Sequence, residues 1–277
     1  MILNDGNKKD CIKAYMYLIE AFRNQEHNNS KIYIKFIFND GKKRTYYKRD
    51  INKIYSLIIK ILYERYYDIR ELYIGVFPRR NKRRCAGISF LAAEVTVIDS
   101  RYLPLDFKRL CTLPCIREIP PSFIVQVSTD RLLLIWCLEE FWPLTPENDS
   151  LVNQFFEKFK ILQGDFYGFH IEPVIDFGFV IPMPGFINVR DSNNPFCVRI
   201  FDYIGTHIVS LPVEITDDHD VIMKEISRYS IERFLAFVGL ANQSYADVLL
   251  KEIDSWDGLL PESYIRRTCG LEEAASS

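Results

Sequence analysis

The segment that most constrains the fold is residues 86–97, AGISFLAAEVTV, in which Glu94 is the only charged residue. Its nearly continuous apolar character is typical of a central strand that is covered on both faces. Such a strand requires a sheet with other layers packed against it. Glu94 is then either a metal ligand or a structural acid with a partner, because an unpaired buried carboxylate is costly. The pattern alone leaves both roles open.

The segments before this strand alternate between helical and extended patterns. Apolar spacing predicts helices over residues 10–24 and 50–67, and alternation predicts strands over 31–38, 42–49 and 71–77. Between the first two strands, Asn-Asp-Gly is a strong hairpin signal.

After the central strand the sequence predicts an irregular connection, a hairpin, a helix and further strands. The segments are 104–121 for the connection, 122–128 and 131–138 for the hairpin, 147–163 for the helix, and a strand before Pro184 with another at 196–203. Residues 218–269 have a helical pattern throughout. We therefore predict an α+β domain over residues 1–212 and a small helical region over 213–277.

Composition favours a soluble cytoplasmic protein. No apolar run reaches the roughly 18 residues that a membrane helix needs, and the N-terminus lacks the apolar core of a signal peptide. The seven cysteines lack regular spacing, which favours reduced thiols. Cys111 and Cys115 have no second Cys or His pair at matching spacing, so a zinc site is disfavoured.

Positive charge is concentrated toward the N-terminus, although the net charge is only −2. Residues 1–110 contain 23 Lys and Arg against 12 Asp and Glu, whereas the remaining residues contain 12 against 25. Like charge gathered in one half favours a polyanionic partner such as nucleic acid. Ordinary solvated faces are the alternative.

Two basic segments are the candidate nucleic-acid contacts. The second strand mixes cations with aromatic rings, which suits phosphates and bases together, although lysines also protect ordinary edge strands. The loop before the central strand has five basic residues out of six, which suits a phosphate backbone, although a solvated turn would look similar. The candidates are Lys42, Lys43, Arg44, Tyr46, Tyr47, Arg79, Arg80, Lys82, Arg83 and Arg84.

A second acid stands out in the segment FYGFHIEPVIDFGFVIPMPGFIN. Asp176 lies between Ile175 and Phe177, ahead of a Pro-Gly corner, which predicts a buried carboxylate in need of a partner. We expect Glu94 and Asp176 to share one site. Asp99, just after the central strand, is a candidate supplement.

Several segments, in the right order and spacing, resemble the archaeo-eukaryotic primase superfamily in its plasmid- and phage-type primase-polymerase branch. The matching segments are LYIGVFPRRNKRR, AEVT with Glu94, STDRLLLIW with Ser128 and Trp136, Leu-Gln-Gly-Asp at 162–165, and IDFGFVIPMPGFIN with Asp176, Pro184, Gly185 and Asn188. The resemblance covers roughly residues 70–203. It implies an RRM-related mixed sheet core with flanking helices. It also implies catalytic and metal-holding roles for Glu94 and Asp176, and nucleotide contacts from Ser128, Arg131, Asn188 and Arg190.

The chain departs from the family pattern in its chemistry. Thr96 stands at the second acidic position, Leu133 where the family has His, and Pro182 where it has Arg. Nucleotidyl transfer in this family uses two divalent ions, which need carboxylate oxygens. Losing one electrostatic contact can cost on the order of 10²–10³ in rate. Three such losses predict a largely silent site that needs no cofactor, with Mg²⁺ or Mn²⁺ relevant only to residual activity.

Three functions follow as hypotheses. The first is a catalytically degenerate primase-polymerase-like protein that binds single-stranded DNA or RNA, as an accessory to a replication protein in DNA replication or a mobile-element process. The second is an active primase-polymerase whose rearranged metal site uses Glu94, Asp99 and Asp176. The third is an interaction scaffold without a nucleic-acid role, which would use the acidic half of the chain.

Overall fold

Nearly every strand of this protein pairs antiparallel with its neighbours. The computed structural model describes residues 31–48, 51–78, 85–102, 107–188, 196–201 and 226–240, together with 8, 12, 14, 214–215 and 221–222. The strands are β1 (Ile32–Phe38), β2 (Lys43–Lys48), β3 (Ile69–Gly75), β4 (Gly87–Val97), β5 (Phe123–Gln126), β6 (Arg131–Pro143), β7 (Gly164–Phe166), β8 (Phe169–Pro173), β9 (Val180–Pro182), β10 (Ile187–Asn188), β11 (Phe196–Cys197), β12 (Arg199–Phe201), β13 (Glu214–Ile215), β14 (Val221–Ile222) and β15 (Arg228–Tyr229). The helices are α1 (Ile51–Arg65), α2 (Phe107–Cys111), α3 (Pro114–Glu118), α4 (Asp149–Phe159) and α5 (Ile231–Phe237).

Four of these strands form a sheet in the order β2-β1-β3-β9. Alternation along β1 divides it into two faces, because successive side chains of a strand point to opposite sides. Ile34 and Phe36 are fully buried in the same hydrophobic core as Ile58 and Leu62 of α1. The opposite face of β1 carries half-buried polar residues. This face borders the candidate site described below.

The larger sheet has the order β12-β5-β6-β4-β8-β7, and β15 pairs with β6 as a parallel neighbour. Trp136 lies on the face that α4 and α5 cover, since its ring centroid is 6.3 Å from that of Phe159 and 6.4 Å from that of Phe234. We call this the helix-covered face. The residues of β4 and β6 with the other parity, among them Glu94 and Leu133, form the pocket face.

Most sequence-based predictions of the elements are confirmed. The predicted strands at 31–38, 42–49, 71–77 and 86–97 are β1 to β4, and the helix and hairpin predictions match α1, α4, β5 and β6 with shifted ends. The irregular connection over 104–121 is wrong where it contains α2 and α3. The predicted helix over 10–24 lies almost wholly outside the described residues.

The continuous helix predicted from residue 218 is wrong in the part that the structure describes. Residues 221–222 and 228–229 are strands, and only Ile231–Phe237 is helical. β15 joins the large sheet and α5 packs beside Trp136, so this segment contributes to the same core as the rest of the chain. Two hydrogen bonds connect this segment to the residues before β5. Ser122 Oγ donates to the Ser227 carbonyl at 2.6 Å, and the Tyr229 hydroxyl donates to the Pro120 carbonyl at 2.6 Å.

The described helices are all short or polar. None of them combines the length and the hydropathy that crossing a membrane requires.

Candidate nucleotide-binding pocket

A pocket of about 280 Å³ lies between the pocket face of the large sheet and the four-stranded sheet. Its lining comes from segments that are far apart in the sequence. These are the end of β4, the β5–β6 hairpin, β3, the approach to β9, and β10. The lining residues are Tyr73, Glu94, Val127, Ser128, Thr129, Asp130, Arg131, Leu133, Phe179, Val180, Pro182 and Asn188.

The charged part of this pocket is an ion pair between adjacent strands. Glu94 pairs in register with Leu133, and Arg131 lies two residues before Leu133 on the same face. The Arg131 guanidinium donates from Nη2 to Glu94 Oε1 at 2.9 Å. Both side chains are partly exposed, at 39% for Arg131 and 27% for Glu94. Glu94 is thus a paired acid that still faces the pocket.

The turn of the β5–β6 hairpin and β10 close one side of the pocket. Ser128 Oγ donates to Asp130 Oδ1 at 2.6 Å, which fixes the turn between the two strands. Asn188 Nδ2 donates to the Val127 carbonyl at 2.8 Å, across 61 residues of chain. This bond holds the segment after the Pro-Gly corner against the hairpin. The structure therefore brings Ser128, Arg131 and Asn188 to one pocket, and their contacts with a nucleotide stay a prediction.

The four-stranded sheet supplies the apolar wall. Tyr73 on β3 pairs in register with Pro182 on β9, and Val180 pairs with Gly75. Phe179 continues this wall just before β9. The Tyr73 hydroxyl donates to Glu71 Oε2, which fixes the ring at the edge of the pocket. A pocket with one charged wall and one apolar wall suits a ligand that has a charged end and a flat apolar end.

Asp176 is placed differently from the sequence-based expectation. It is exposed, in the turn between β8 and β9, and its Oδ1 accepts a hydrogen bond from the Gly178 amide at 2.7 Å. The expectation of a buried carboxylate is therefore wrong, because the acid satisfies a local turn. Asp176 is not among the residues that line the pocket. Its role as a catalytic or metal-holding acid stays a prediction.

Asp99 also has a local partner. Its carboxylate accepts hydrogen bonds from Arg101 Nε and Nη2, the shortest at 2.6 Å. The guanidinium and the Arg101 amide hold the pKa of Asp99 below its ordinary value. Asp99 does not line the pocket, and its use as a substitute acid stays a prediction.

The candidate nucleic-acid residues of β2 and its turn do not all lie on one face of the strand. Lys42 forms an ion pair with Asp40 at 2.8 Å in the turn. Arg44 lies over the Phe38 ring at 5.6 Å, and Tyr46 packs edge-on to a core ring. Lys43 belongs to the opposite face of the strand. Tyr47 pairs in register with Tyr33.

Several other predicted contacts lie outside the described residues. These are Arg79, Arg80, Lys82, Arg83 and Arg84 of the basic loop, and Arg190 after β10. Their roles in nucleic-acid and nucleotide binding stay predictions.

The described residues do not fit a pair of divalent ions. Within the described part of the chain, no three His, Cys, Asp or Glu side chains form a group that could hold a metal. The Glu94 carboxylate is engaged by a cation, and Thr96, two residues further along the pocket face, has no charge to offer.

Sequence reasoning missed the residues of the apolar wall. Tyr73, Phe179 and Val180 line the pocket, and although they lie within the quoted segments LYIGVFPRRNKRR and IDFGFVIPMPGFIN, none of them was among the predicted site residues. A usable signal was present, because alternation in ELYIGVF places Glu71, Tyr73 and Gly75 on one face of a strand. Which sheet that face would meet could not be inferred from alternation.

Comparisons with known proteins give limited matches. No family model matches the chain, and no curated protein matches it. Among solved structures, the chain is similar to the AEP domain of the primase-polymerase (PrimPol) of cyanophage S-2L. The TM-score is 0.40 and the sequence identity 12%, and the match covers 69% of this chain and 90% of that one.

Proposed function

We propose that this chain is a primase-polymerase-like protein that binds single-stranded nucleic acid through a nucleotide site at the pocket and does not carry out robust strand synthesis. It would serve as an accessory in DNA replication or in a mobile-element process. One observation carries the proposal. Six residues at positions that the superfamily resemblance picks out line the same pocket, although they come from three separate segments: Glu94, Ser128, Arg131, Leu133, Pro182 and Asn188.

The charges in the pocket favour binding over nucleotidyl transfer. Arg131 stands 2.9 Å from Glu94, so a cation already occupies the side of the carboxylate that faces the β6 strand. A guanidinium presents several donors in a planar fork, which suits a phosphate. A divalent ion at Glu94 would meet the repulsion of this neighbour. The position of Arg131 therefore disfavours a metal ion at Glu94, and its guanidinium supports phosphate recognition.

A nucleotide titration tests the proposal, because two substitutions should act in opposite directions. Arg131→Ala removes a charge-assisted contact worth about 1.5–3 kcal/mol and should weaken binding of nucleoside triphosphates roughly ten- to a hundredfold. Glu94→Gln frees the guanidinium and removes a repelling charge, so binding should tighten. Calorimetry at constant salt measures both.

Arg101→Ala is the matched control, since it breaks an ion pair of similar geometry away from the pocket. It should leave nucleotide affinity unchanged. The proposal fails if wild-type protein binds neither nucleotides nor oligonucleotides. Primer extension that is well above background in the wild type and lost in Asp176→Asn would favour the active enzyme instead.

A further inference from the structure

The face of the four-stranded sheet that borders the pocket carries lysines and tyrosines. Lys35 pairs in register with Thr45 on one side and with Tyr73 on the other, and paired residues of antiparallel strands project to the same face. Tyr33 and Lys43 have the same parity on β1 and β2. We call this surface the Lys/Tyr face, defined by Tyr33, Lys35, Lys43, Thr45 and Tyr73.

The positive charge of the Lys/Tyr face is not neutralised by acids of the described residues. Lys35 Nζ lies 5.7 Å from the centroid of the Tyr73 ring, and neither Lys35 nor Lys43 has a described carboxylate within ion-pair distance. The one acid among the described residues of this face is Glu71. It accepts from the Tyr73 hydroxyl and from Arg70 Nε, the latter at 2.9 Å.

Two aromatic side chains stand where the Lys/Tyr face meets the pocket. Tyr33 packs directly on the backbone of Gly75, because a Cβ at Gly75 would lie 3.0 Å from Tyr33 Cβ. Gly75 pairs with Val180, a lining residue, and Tyr73 itself lines the pocket. Lysines and rings therefore follow one another from β2 to the pocket over roughly 10–15 Å, given about 4.8 Å between strands.

We propose that the Lys/Tyr face is the path by which a single strand of nucleic acid reaches the pocket. Lys35 and Lys43 contact its phosphates and Tyr33 packs against its bases, while the buried Tyr73 ring forms the edge of the pocket. The inference rests on the proposed function of the pocket and adds the route of the strand outside it. Cations without an acidic partner among the described residues, beside the half-buried ring of Tyr33, fit this ligand because every base offers a flat face and every linkage a negative charge.

The salt dependence of oligonucleotide binding tests the lysines. The full chain is titrated with labelled single-stranded DNA and, separately, RNA of about 12 nucleotides at several salt concentrations. In Lys35→Gln/Lys43→Gln, the slope of log K against log salt should become shallower by about 1.4, since each lost phosphate contact contributes about 0.7. Lys60→Gln on α1 is the control, because Glu64 pairs with Lys60 on the other side of the four-stranded sheet, and its slope should equal that of the wild type.

Tyr33 is tested by a substitution that leaves the net charge of the protein unchanged. Tyr33→Leu should weaken oligonucleotide binding by about tenfold or more, with an unchanged salt slope, because stacking involves no counterion release. Tyr63→Leu replaces a ring on α1 that is 62% exposed, and it should have no effect. Far-UV circular dichroism and thermal unfolding verify that each variant is folded.

The outcomes separate this inference from the proposed function. Lys35→Gln/Lys43→Gln should reduce oligonucleotide binding and leave mononucleotide binding intact, whereas Arg131→Ala should reduce both. A wild-type salt slope in the double variant overturns the path over the Lys/Tyr face and leaves the pocket standing. The same conclusion follows if the wild type binds mononucleotides but no oligonucleotide. If it binds neither, both proposals are overturned.

Discussion

The two faces of β4 and β6 differ in what their side chains do. On the helix-covered face, Trp136 packs against rings of α4 and α5 and donates its indole N–H to the Ile119 carbonyl at 2.7 Å. On the pocket face, Glu94 and Arg131 are partly exposed and contact each other rather than a covering layer. Near the pocket, Trp136 therefore stabilises the fold, whereas Glu94 and Arg131 on the opposite face are partly exposed to a ligand.

This division explains why Glu94 is tolerated in a strand that is otherwise apolar. A carboxylate on the helix-covered face would lie among fully buried side chains such as Leu91 and Ala93, where its desolvation would cost several kcal/mol. At its actual position, Glu94 has a cationic partner and access to water. The three predictions that follow would break or sharpen the contrast between the two faces.

The largest expected effect is on the helix-covered face. Trp136→Ala should lower the free energy of unfolding by about 3–5 kcal/mol, because it empties a fully packed site and leaves the Ile119 carbonyl without its donor. Urea unfolding measures the change. Tyr63→Ala, on the exposed side of α1, should change stability by less than about 0.5 kcal/mol. A loss below 1 kcal/mol for Trp136→Ala would contradict the assignment of this face as the main core.

A pH-dependent effect of up to about 3 kcal/mol is expected at Glu118, at the end of α3 beside α5. Burial raises the pKa of this carboxyl from 4.5 to about 7, against a smaller opposing influence of Arg233. Because the folded state then holds the proton more tightly than the unfolded state, this contribution to stability is present below about pH 4.5 and is lost as pH rises to 7.

Glu118→Gln should therefore remove this part of the pH dependence and stabilise the protein above pH 7. Unfolding in urea at pH 5 and pH 8 measures it. Glu157→Gln, at an exposed position of α4 paired with Lys160, is the control and should keep the wild-type pH profile. Identical profiles for Glu118→Gln and the wild type would show that α5 does not bury this acid.

The smallest expected effect on stability is on the pocket face. A double-mutant cycle of Glu94→Gln and Arg131→Ala should give a coupling of about 0.2–1 kcal/mol, because partly exposed pairs are screened by water. The same substitutions should change nucleotide affinity, as described above. A coupling of 3 kcal/mol or more would mean that the pair is a structural element of the core, and the contrast between the faces would disappear.

Much of the fold was readable from hydrophobic spacing. β1 was predictable because its apolar and polar residues alternate, and β4 because its apolar run is nearly continuous. The β7–β8 hairpin was missed because its turn uses Tyr167 at φ 48° and Gly168 at φ 92°, without the Asn-Gly signal that usually marks such turns. α3 begins at Pro114, a recognised first-turn residue, but at five residues it is too short for a periodic pattern.

The candidate site was only partly readable. Motif spacing singled out Glu94, Ser128 and Asn188, which line the pocket. The contact between Glu94 and Arg131, which are 37 residues apart, depends on strand register and could not be predicted from spacing. Asp176 was misjudged because its apolar neighbours suggested burial, whereas Ile175 beside it is 44% exposed. The sequence Asp-Phe-Gly itself indicated a turn, because an Asp carboxylate commonly accepts a hydrogen bond from the backbone amide two residues later.

The attachment of β15 and α5 to the large sheet has a practical consequence for anyone who shortens the chain. A fragment ending at residue 212 would lack the ring of Phe234 that lies against Trp136, and the hydroxyl of Ser122 would lose its acceptor at Ser227. Exposed tryptophan surface of that kind promotes aggregation on expression. A trimmed protein for crystallisation or spectroscopy should therefore extend at least to residue 240.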